Sequence, residues 1–311
     1  MADETYDVVI IGAGAAGLTA GMYASRGGLK TLLIERMMSG GQVVNAEKIE
    51  NYPGFPDGLH GAEFGPLLQD QAIRNGLEIR MGEVDGLTRD GDIWQVSSYG
   101  ENIPTRVVIV AGGSTLRKLG IPGEEELHGA GVSYCATCDG GFFTGQTVGV
   151  VGGGDSALDE ALVLTQFAEK VIIFHRRDSF RAEKVWQERV AQNPKIEVRW
   201  NTTVEAVLGE GEVTGVSITD TVTGETSRVD LSGLFIYVGL DPNTEYLQNL
   251  LELDNSGHVP TDIWMRTALD GLFAAGDIRQ HSAAQLVTAA GDGATAAIAA
   301  RRYLESLRAR S

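Results

Sequence analysis

The chain contains 311 residues, of which 43% are hydrophobic and 22% are charged, and these proportions are typical of a folded globular protein. This length exceeds what one hydrophobic core usually serves, so we expect two domains of ordinary size. The formal net charge of −17 argues against nucleic-acid binding and against attachment to an anionic membrane.

The N-terminus has none of the features of a targeting segment. Asp3, Glu4 and Asp7 give it the opposite charge to the start of a signal peptide. The apolar run that follows ends at Gly12, and no stretch approaches the roughly 18 apolar residues that span a bilayer. We therefore expect a cytoplasmic protein.

The first predicted strand, residues 8–11, leads directly into a glycine-rich turn with the sequence GAGAAG. In the dinucleotide-binding fingerprint, Gly12 makes the tight turn, Gly14 admits a pyrophosphate to the backbone, and Gly17 allows close packing of helix and strand. The helix that follows presents free N–H groups and the positive end of its dipole to the phosphates.

This helix meets no breaker before Gly27 and Gly28, and a second predicted strand, residues 31–34, ends at Glu35. A carboxylate about 20 residues beyond the glycines accepts hydrogen bonds from a ribose hydroxyl in such folds. Five features fit the same dinucleotide-binding fingerprint: the strand, the glycines, the helix, the second strand and its acidic end. The pattern therefore predicts a dinucleotide site rather than an ordinary glycine-rich turn.

Cys135 and Cys138 are the only cysteines of the chain, in the segment SYCATCDGGFF. This spacing beside a predicted βαβ unit is typical of a dithiol that cycles with a disulfide. The main alternative is half of a zinc site, but no second CxxC or suitable histidine pair completes it, which leaves only a metal shared across a dimer. Asp139 is a candidate proton donor or acceptor for the thiols, an ordinary helix N-cap, or both.

A second glycine-rich unit begins with the predicted strand 147–151 and continues as GGGDSA. Gly152 and Gly154 take the positions of the first two fingerprint glycines, and Ala157 replaces the third, as the fingerprint allows. The chain thus carries two fingerprints, and we expect it to bind two dinucleotides, or one dinucleotide beside a relic.

The strand that ends this second unit, residues 171–174, is followed by no carboxylate. His175, Arg176 and Arg177 come next, with Arg181 shortly after. Arginine forks bind a 2′-phosphate, which an acidic residue would repel. An exposed basic patch is the ordinary alternative, but this position in so acidic a protein favours NADPH over NADH.

Near the C-terminus, a short predicted strand, residues 272–275, ends at Gly276 and Asp277. We expect a helix rich in alanine and glycine to begin near Ala284, with its N-terminus placed to contact a flavin ring. The AAGD sequence at the strand end is unspecific by itself, since a strand followed by any turn could carry it.

The order and spacing of these elements resemble those of the bacterial low-molecular-weight thioredoxin reductases, over essentially the whole chain. CATCDG is the most specific motif, because related reductases place their cysteines in the FAD domain rather than between two nucleotide folds. The motifs in family order are GAGAAG, GGQ at residues 40–42, ENYPGFP at 50–56, CATCDG, GGGDSA, HRRDSFRA, GLDPNT at 239–244 and AAGD.

The resemblance implies an α/β fold with two Rossmann-like dinucleotide-binding domains. The FAD-binding domain would be discontinuous, with residues 1–114 as its first segment and residues 245–311 as its second. The NADPH-binding domain, residues 115–244, would be inserted into it and would carry the CxxC pair. The implied activity is NADPH-dependent reduction of thioredoxin, or of a thioredoxin-like protein, by a homodimer with FAD.

The resemblance also implies sets of cofactor-binding residues. Asp277 would bond the ribitol chain of FAD, and Gln285 and Leu286 would lie at its isoalloxazine. The full set expected at FAD is Gly12, Gly14, Ala15, Ala16, Gly17, Glu35, Arg36, Gly40, Gly41, Gln42, Asn51, Val84, Ala111, Gly112, Gly276, Asp277, Gln285 and Leu286. The set expected at NADPH is Gly152, Gly154, Asp155, Ser156, Ala157, His175, Arg176, Arg177 and Arg181.

Three residues receive catalytic roles by the same resemblance. Cys138 would face the flavin, Cys135 would attack the disulfide of the partner protein, and Asp139 would serve as acid and base. The chain departs from the family at Ala284, where Arg or Lys is usual, and at Gly112, where Ala-Thr-Gly reads Ala-Gly-Gly. Both departures bear on the flavin surroundings and on the identity of the partner.

Other functions compatible with parts of the pattern lack some of its features. A ferredoxin–NADP reductase of this fold lacks the cysteine pair. A dithiol oxidase or a ferredoxin-linked relative tends to lose the NADPH site, whereas GGGDSA and the arginine cluster are intact here. A nucleotide-binding redox sensor without turnover is the alternative from a different class.

Overall fold

The structure is a computed structural model and describes residues 5–309 of the chain. In chain order its strands are β1 Tyr6–Ile11, β2 Thr31–Glu35, β3 Glu78–Met81, β4 Val84–Asp90, β5 Ile93–Ser98, β6 Glu101–Val110, β7 Ser114–Leu116, β8 Val132–Ser133, β9 Thr147–Gly152, β10 Lys170–Phe174, β11 Ile196–Arg199, β12 Thr202–Leu208, β13 Gly215–Asp220, β14 Thr226–Asp230, β15 Gly233–Tyr237, β16 Leu240–Pro242 and β17 Leu272–Ala274. Its α-helices are α1 Ala15–Arg26, α2 Gly61–Arg74, α3 Ala136–Asp139, α4 Asp155–Leu164, α5 Lys184–Gln192 and α6 Leu286–Arg308. Short 3-10 helices are formed by Gly41–Asn45, Gly140–Phe143, Glu245–Leu247 and Gly276–Ile278. Within residues 5–309, every helix is too short or too polar to cross a membrane.

The chain divides into two compact units, each with its own parallel sheet. The outer unit takes the residues up to Thr115 and those from Asp241 onward. The inserted unit takes Leu116–Leu240.

The outer unit is built on a sheet with the strand order β3-β2-β1-β6-β5-β4, and β17 pairs with the end of β6. β1, β2, β3, β17 and the end of β6 are parallel, whereas β4 and β5 form an antiparallel extension. Val8 and Ile10 belong to one apolar cluster, and Val9 and Ile11 belong to another. Because β1 is buried on both faces, its sequence is an unbroken apolar run.

The first and last helices of the outer unit, α1 and α6, are in backbone contact. A Cβ at Gly293 would lie 2.1 Å from the carbonyl oxygen of Ala16, so only glycine fits at that position of α6. Ala20 of α1 and Ala297 and Ala300 of α6 are buried in the same apolar cluster. The small residues of the C-terminal segment therefore allow this close contact.

The inserted unit is built on a five-stranded parallel sheet with the order β11-β10-β9-β15-β8. Val148 and Val150 of β9 lie in one apolar cluster and Val151 in another, so this strand is also buried on both faces. The strands β12, β13 and β14 form a separate antiparallel sheet. The succession β9-α4-β10 repeats the succession β1-α1-β2 of the outer unit.

These elements confirm the predicted α/β class with two Rossmann-like sheets. The predicted strands 8–11, 31–34, 147–151 and 171–174 lie within β1, β2, β9 and β10, and α1 ends at Arg26, just before the predicted breaker. The C-terminal helix begins at Leu286 rather than near Ala284. Ala284 has a φ of +50°, which lies outside the helical region and excludes this residue from the helix.

Candidate active site

The glycine-rich turn between β1 and α1 contains two glycines that the fold requires and one that it does not. Gly12 has a φ of +101°, and a Cβ there would lie 2.5 Å from the carbonyl oxygen of Ala111. A Cβ at Gly17 would lie 1.8 Å from the carbonyl oxygen of Gly12. A Cβ at Gly14 would meet no other atom within 4 Å, and its backbone torsions are open to any residue. The glycine at this position fits a cradle for the phosphates of a dinucleotide.

α1 begins at this cradle. Its N-cap residue is Gly14, which has no side chain to cap the first N–H groups, and Ala15 and Ala16 follow in the first turn. Uncapped N–H groups at a helix N-terminus bind anions well, because the helix dipole adds to their own donor strength. The turn and the helix together are suited to hold a pyrophosphate.

Glu35 lies at the end of β2 and is fixed by backbone donors. One carboxylate oxygen accepts the N–H of Ala13 at 2.6 Å, and the other accepts the N–H of Met37 at 2.9 Å. Each carboxylate oxygen can accept a further hydrogen bond. The carboxylate is therefore held beside the glycine-rich turn with acceptor capacity left for a ribose hydroxyl.

The segment after β2 returns to the glycine-rich turn. Gly40 donates its N–H to the carbonyl oxygen of Ala13 at 2.8 Å, and a Cβ at Gly41 would lie 3.4 Å from the α-carbon of Gly14. Gln42 donates from its side-chain amide to the carbonyl oxygen of Ser114 at 2.9 Å. Gly40 and Gly41 thus lie beside the turn, and Gln42 contacts the end of the first segment of the unit.

Arg36 and Val84 lie at the edge of this region. Arg36 pairs with Glu83 at 3.4 Å and stays half exposed. Val84 packs against the second apolar cluster of the outer unit. The N–H of Gly82 donates to the carbonyl oxygen of Glu35 at 2.8 Å, which places the start of β4 beside the end of β2.

The start of α6 meets the ENYPGFP segment. Asn51 donates from its side-chain amide to the side-chain oxygen of Gln285 at 3.1 Å. Leu286, the first residue of α6, packs in the same small apolar cluster as Ala15 of α1. Residues more than 200 positions apart in the sequence are therefore brought to one place, beside the N-terminus of α1.

The remaining predicted flavin residues lie at the ends of β6 and β17. The carbonyl oxygen of Gly112 accepts a hydrogen bond from the side chain of Asn243 at 2.8 Å. Gly276 has a φ of +79°, and the Asp277 carboxylate after it accepts the hydroxyl of Ser282 at 3.2 Å. Burial raises the pKa of Asp277, since a carboxylate loses hydration there. A hydroxyl donor from a ribityl chain would offset that loss.

The glycine-rich turn of the inserted unit repeats the pattern of the outer one. A Cβ at Gly152 would lie 2.5 Å from the carbonyl oxygen of Tyr237, and Ala157 is fully buried beneath the turn. A Cβ at Gly154 would meet no other atom within 4 Å. Asp155 and Ser156 follow in the first turn of α4, where Asp155 accepts the N–H of Glu183 at 2.7 Å and Ser156 is exposed. The residues predicted for this turn are Gly152, Gly154, Asp155 and Ser156, with Ala157 packed beneath it.

Three arginines follow β10 beside this second turn. The N–H of Arg181 donates to the carbonyl oxygen of Gly153 at 2.9 Å, which fixes the end of the loop against the turn. Arg176, Arg177 and Arg181 are exposed, and among the described residues their guanidinium groups have no hydrogen-bond or ion-pair partner. Arginine forks without protein partners, in a chain of net charge −17, form a binding surface for an anion.

The cysteines form the redox pair of the inserted unit. Cys135 and Cys138 are joined by a disulfide, with their α-carbons 5.3 Å apart. Cys135 is the N-cap of α3, and its sulfur accepts the N–H of Cys138 at 3.1 Å. This N–H is a donor that can stabilise a thiolate on Cys135 after reduction.

Asp139 is held by a hydroxyl rather than used as a helix cap. Its carboxylate accepts the hydroxyl of Ser133 at 2.6 Å, and no helix is capped by its side chain. The same hydroxyl oxygen accepts the N–H of Cys135 at 3.1 Å. Ser133 therefore links the candidate acid–base residue to the backbone of the first cysteine.

A buried carboxylate and phenol lie below α3. The N–H of Ala136 lies 3.0 Å from a carboxylate oxygen of Glu160 and 3.0 Å from the hydroxyl of Tyr237. Burial, and then the charge of Glu160, raise the pKa of Tyr237, so this phenol stays protonated. These two side chains anchor the peptide unit that follows Cys135.

The structure therefore groups the predicted residues by unit. The residues predicted for FAD lie in the outer unit, and those predicted for NADPH lie with the cysteines in the inserted unit, where His175 is buried rather than exposed. Sequence reasoning assigned no role to Ser133, Glu160 or Tyr237, although each lies within or close to a quoted motif, because only their contacts identify them.

Comparison with known proteins adds an independent line of evidence. Residues 6–293 match the family described as pyridine nucleotide-disulphide oxidoreductase. The thioredoxin reductases of Listeria monocytogenes and Bacillus subtilis are each 46% identical over 307 residues, which cover 98% of this chain and 96% of theirs. The crystal structure of Lactococcus lactis thioredoxin reductase is 43% identical, with a TM-score of 0.95 over 97% of this chain and 100% of that one.

Proposed function

The chain belongs to the pyridine nucleotide-disulphide oxidoreductase family, in its thioredoxin reductase branch, and from that premise we propose that it is an NADPH-dependent thioredoxin-disulfide reductase. Electrons pass from NADPH through FAD to the disulfide of Cys135 and Cys138, and from the reduced pair to thioredoxin or a thioredoxin-like protein. The observation that carries the proposal is the disulfide in α3, with Asp139 beside it, in the unit that also holds the arginine surface.

We assign FAD to the outer unit and NADPH to the inserted unit. FAD supplies two-electron chemistry between a nicotinamide and a disulfide when bound. In the outer unit, the open position at Gly14 and the fixed carboxylate of Glu35 fit its phosphates and a ribose. In the inserted unit, Gly154 and the exposed arginines fit a nucleotide with a 2′-phosphate. The domain boundaries after residues 114 and 244 stay predictions, and compact packing divides the chain after Thr115 and Leu240.

The cysteines carry out disulfide exchange with balanced electrons and protons. After two electrons and two protons reduce the pair, the thiolate of Cys135 attacks one sulfur of the partner disulfide and releases the other as a thiolate. The thiolate of Cys138 then attacks the sulfur of Cys135, which restores the internal disulfide and releases the second partner thiol. Asp139, oriented by Ser133, accepts the proton from the attacking thiol and returns one to the leaving sulfur.

The surface beside Asp139 supports docking of a protein partner. A cavity of about 960 Å³ in the inserted unit is lined by Ser133, Asp139, Phe142 and Phe143, among others. Phe142 is 79% exposed, which is unusual for so large an apolar side chain. An exposed aromatic ring three residues from Asp139 is an anchor of the kind that protein interfaces use.

We also propose a cytoplasmic homodimer, as the family resemblance implies. Tyr23 of α1 and Leu67 and Ile73 of α2 leave large apolar side chains exposed on the outer unit. Exposed apolar residues on neighbouring helices support an interface between copies. Light scattering coupled to size-exclusion chromatography tests it: the expected mass is twice the 33.1 kDa of one chain, and a single-chain mass overturns it.

Anaerobic titration tests the electron path as a whole. The purified protein is expected to be yellow, to lose its flavin absorbance as NADPH is added, and to regain it when oxidised thioredoxin follows. Bleaching without recovery, together with no thioredoxin thiols by a colorimetric thiol assay, would indicate a redox sensor instead. NADH at equal concentration serves as the control donor and is expected to bleach the flavin poorly.

A further inference from the structure

We propose that His175 is a positioning residue, which ties the glycine-rich turn of the inserted unit to the arginine loop, residues 176–181, and so sets the preference for a phosphorylated nicotinamide nucleotide. The inference rests on the proposed function, because it concerns how the electron donor is selected. It gives His175 a role through other residues rather than by contact with the nucleotide.

The ring of His175 is directed into the protein, away from the surface that the arginines form. The residue is only 6% exposed, whereas Arg176 and Arg177 directly after it are exposed. Its Nδ1 lies 3.0 Å from the carbonyl oxygen of Gly152, and its Nε2 lies 2.9 Å from the carbonyl oxygen of Ser179. One ring therefore contacts the turn with one nitrogen and the arginine loop with the other.

The ring also explains a glycine that the fingerprint leaves variable. Gly153 stands between the two fingerprint glycines, and a Cβ there would lie 2.2 Å from Cε1 and 2.3 Å from Nδ1 of His175. No positive φ requires glycine at this position. The ring of His175 is thus packed against Gly153, and it is the obstacle to any side chain there.

The arginine loop is anchored on the turn at both ends and at its middle. The carbonyl oxygen of Gly153 accepts the N–H groups of Arg181 and Ala182 at 2.9 and 3.3 Å. His175 supplies the first anchor at Gly152 and the central one at Ser179. Because the turn holds the pyrophosphate and the loop holds the arginines, these anchors fix the distance between two phosphate sites.

Aromatic rings complete the surroundings of His175. The ring of Phe180 lies 5.4 Å and that of Trp200 lies 5.9 Å from the imidazole, and these two rings contact each other at 4.4 Å with their planes tilted by 53°. Phe180 belongs to the arginine loop, and Trp200 follows β11. The loop is therefore supported from below by packed rings, while its charged side chains stay exposed.

The chemistry of the two contacts connects the ring to bound phosphate. Both partners are carbonyl oxygens, so a neutral imidazole, with one N–H, donates to only one of them, whereas an imidazolium donates to both. The pKa of His175 is lowered, mainly by burial and further by the charges of Arg177 and Arg181, although the two carbonyl contacts act in the opposite direction. A phosphate held by those arginines offsets their charge and favours the doubly bonded ring.

Replacing His175 shows whether the ring supports only the arginine loop or the dinucleotide site as a whole. His175→Ala removes the ring that contacts both the turn and the loop, and we expect the KM for NADPH to rise about tenfold or more. The KM for NADH should change by less than about threefold, and kcat should be unchanged with either donor. Calorimetric binding of NADP⁺ and NAD⁺ to the oxidised protein should show the same split. His128→Ala, an exposed histidine of the same unit, is the matched control.

Gly153→Ala provides a second route that removes no group from the protein. The added methyl collides with the imidazole, so this variant alone should lose NADPH affinity in the same selective way. In the His175→Ala background the ring is gone, and Gly153→Ala should have little further effect. The double-mutant cycle is therefore expected to be strongly non-additive.

Two results would overturn the inference. Equal losses of NADPH and NADH in His175→Ala would mean that the ring supports the whole site rather than the arginine loop. An undiminished effect of Gly153→Ala in the absence of the ring would remove the link between turn and loop. Failure of the proposed function is distinguishable, because the wild-type protein would then neither bind NADP⁺ nor oxidise NADPH.

Discussion

In the outer unit, the strand that follows the glycine-rich turn ends at Glu35, whose carboxylate accepts N–H groups from Ala13 and Met37. In the inserted unit, the corresponding strand ends at His175, whose ring faces two carbonyl oxygens and is followed by exposed arginines. The two turns share the same open glycine, so phosphate binding is common to both. Glu35 accepts hydrogen bonds from N–H groups, whereas His175 faces carbonyl oxygens beside exposed arginines, and we propose that this difference selects the ribose that each turn accepts.

The two units also differ in that only the inserted unit carries cysteines. We expect their replacement to have the largest effect on activity. Cys135→Ser or Cys138→Ser removes one sulfur of the disulfide, so we expect thioredoxin reduction to be abolished. Flavin content and the rate of flavin bleaching by NADPH should be retained. A coupled thioredoxin assay measures the first and absorbance the others, and full activity in either variant would disprove the assigned path.

Replacing Gly14 or Gly154, where a side chain has room, distinguishes the two units directly. A Cβ at Gly14 or at Gly154 meets no other atom within 4 Å, so Gly14→Val and Gly154→Val should fold and place their methyl groups in the ligand cradles. We expect Gly14→Val to be purified largely without flavin. Gly154→Val should stay yellow, with its KM for NADPH raised by about two orders of magnitude, on the scale of several lost phosphate hydrogen bonds. Each variant is the control for the other, and flavin loss from Gly154→Val would contradict the assignment.

Removing positive charge from the arginine loop tests the difference between the acidic end of β2 and the basic residues that follow β10. The double variant Arg176→Ala, Arg177→Ala loses two charge-assisted contacts to a 2′-phosphate, and we expect NADPH affinity to fall about 100-fold. NADH affinity should change little. Arg228→Ala removes an exposed, paired arginine elsewhere in the inserted unit and serves as the control. Steady-state KM values for both donors measure the effect, and equal losses would exclude recognition of the phosphate.

The smallest expected effect concerns Asp277 in the outer unit. Burial raises the pKa of this carboxyl in the folded apoprotein, so the folded state binds its proton more tightly than the unfolded chain does. Its stabilising contribution is present below the unfolded pKa and is lost as pH rises through the higher folded value. Asp277→Asn should remove that loss and stabilise the apoprotein at neutral pH relative to about pH 3, which lies below the unfolded pKa, by about 1 kcal/mol or less.

Urea unfolding of the two apoproteins at both pH values measures the difference. The holoprotein provides the contrast, because Asp277→Asn should release FAD more readily once the acceptor for a ribityl hydroxyl is weakened. If the wild-type apoprotein gained stability relative to Asp277→Asn between about pH 3 and neutral pH, burial of the Asp277 carboxylate would not explain the pH dependence.

The sequence predicted the βαβ units well because their signals are local. A buried parallel strand, a glycine at a strained φ and a helix free of breakers are all properties of neighbouring residues, as at Gly12 and at the end of α1. The same reasoning placed the C-terminal helix two residues early. The left-handed backbone of Ala284 is imposed by the surrounding loop and has no signal in an alanine.

The site was predictable only in its motifs. Ser133 hydrogen-bonds Asp139 across six positions, but Glu160 reaches Ala136 across 24 and Tyr237 across 101. No spacing rule connects such residues, because the parallel sheet of the inserted unit brings them together. The orientation of His175 was likewise beyond sequence reasoning, since a histidine before arginines could equally face the solvent.

The backbone contact between α1 and α6 has a consequence for synthesis of the protein. α1 is among the first elements to leave the ribosome, yet Gly293, which meets Ala16, is among the last residues to be made. β17, which pairs with β6, is also late. The inserted unit is one continuous stretch and can complete its core while the outer unit still lacks a helix and a strand. We therefore expect the nascent chain to complete its pyridine-nucleotide module before its flavin module.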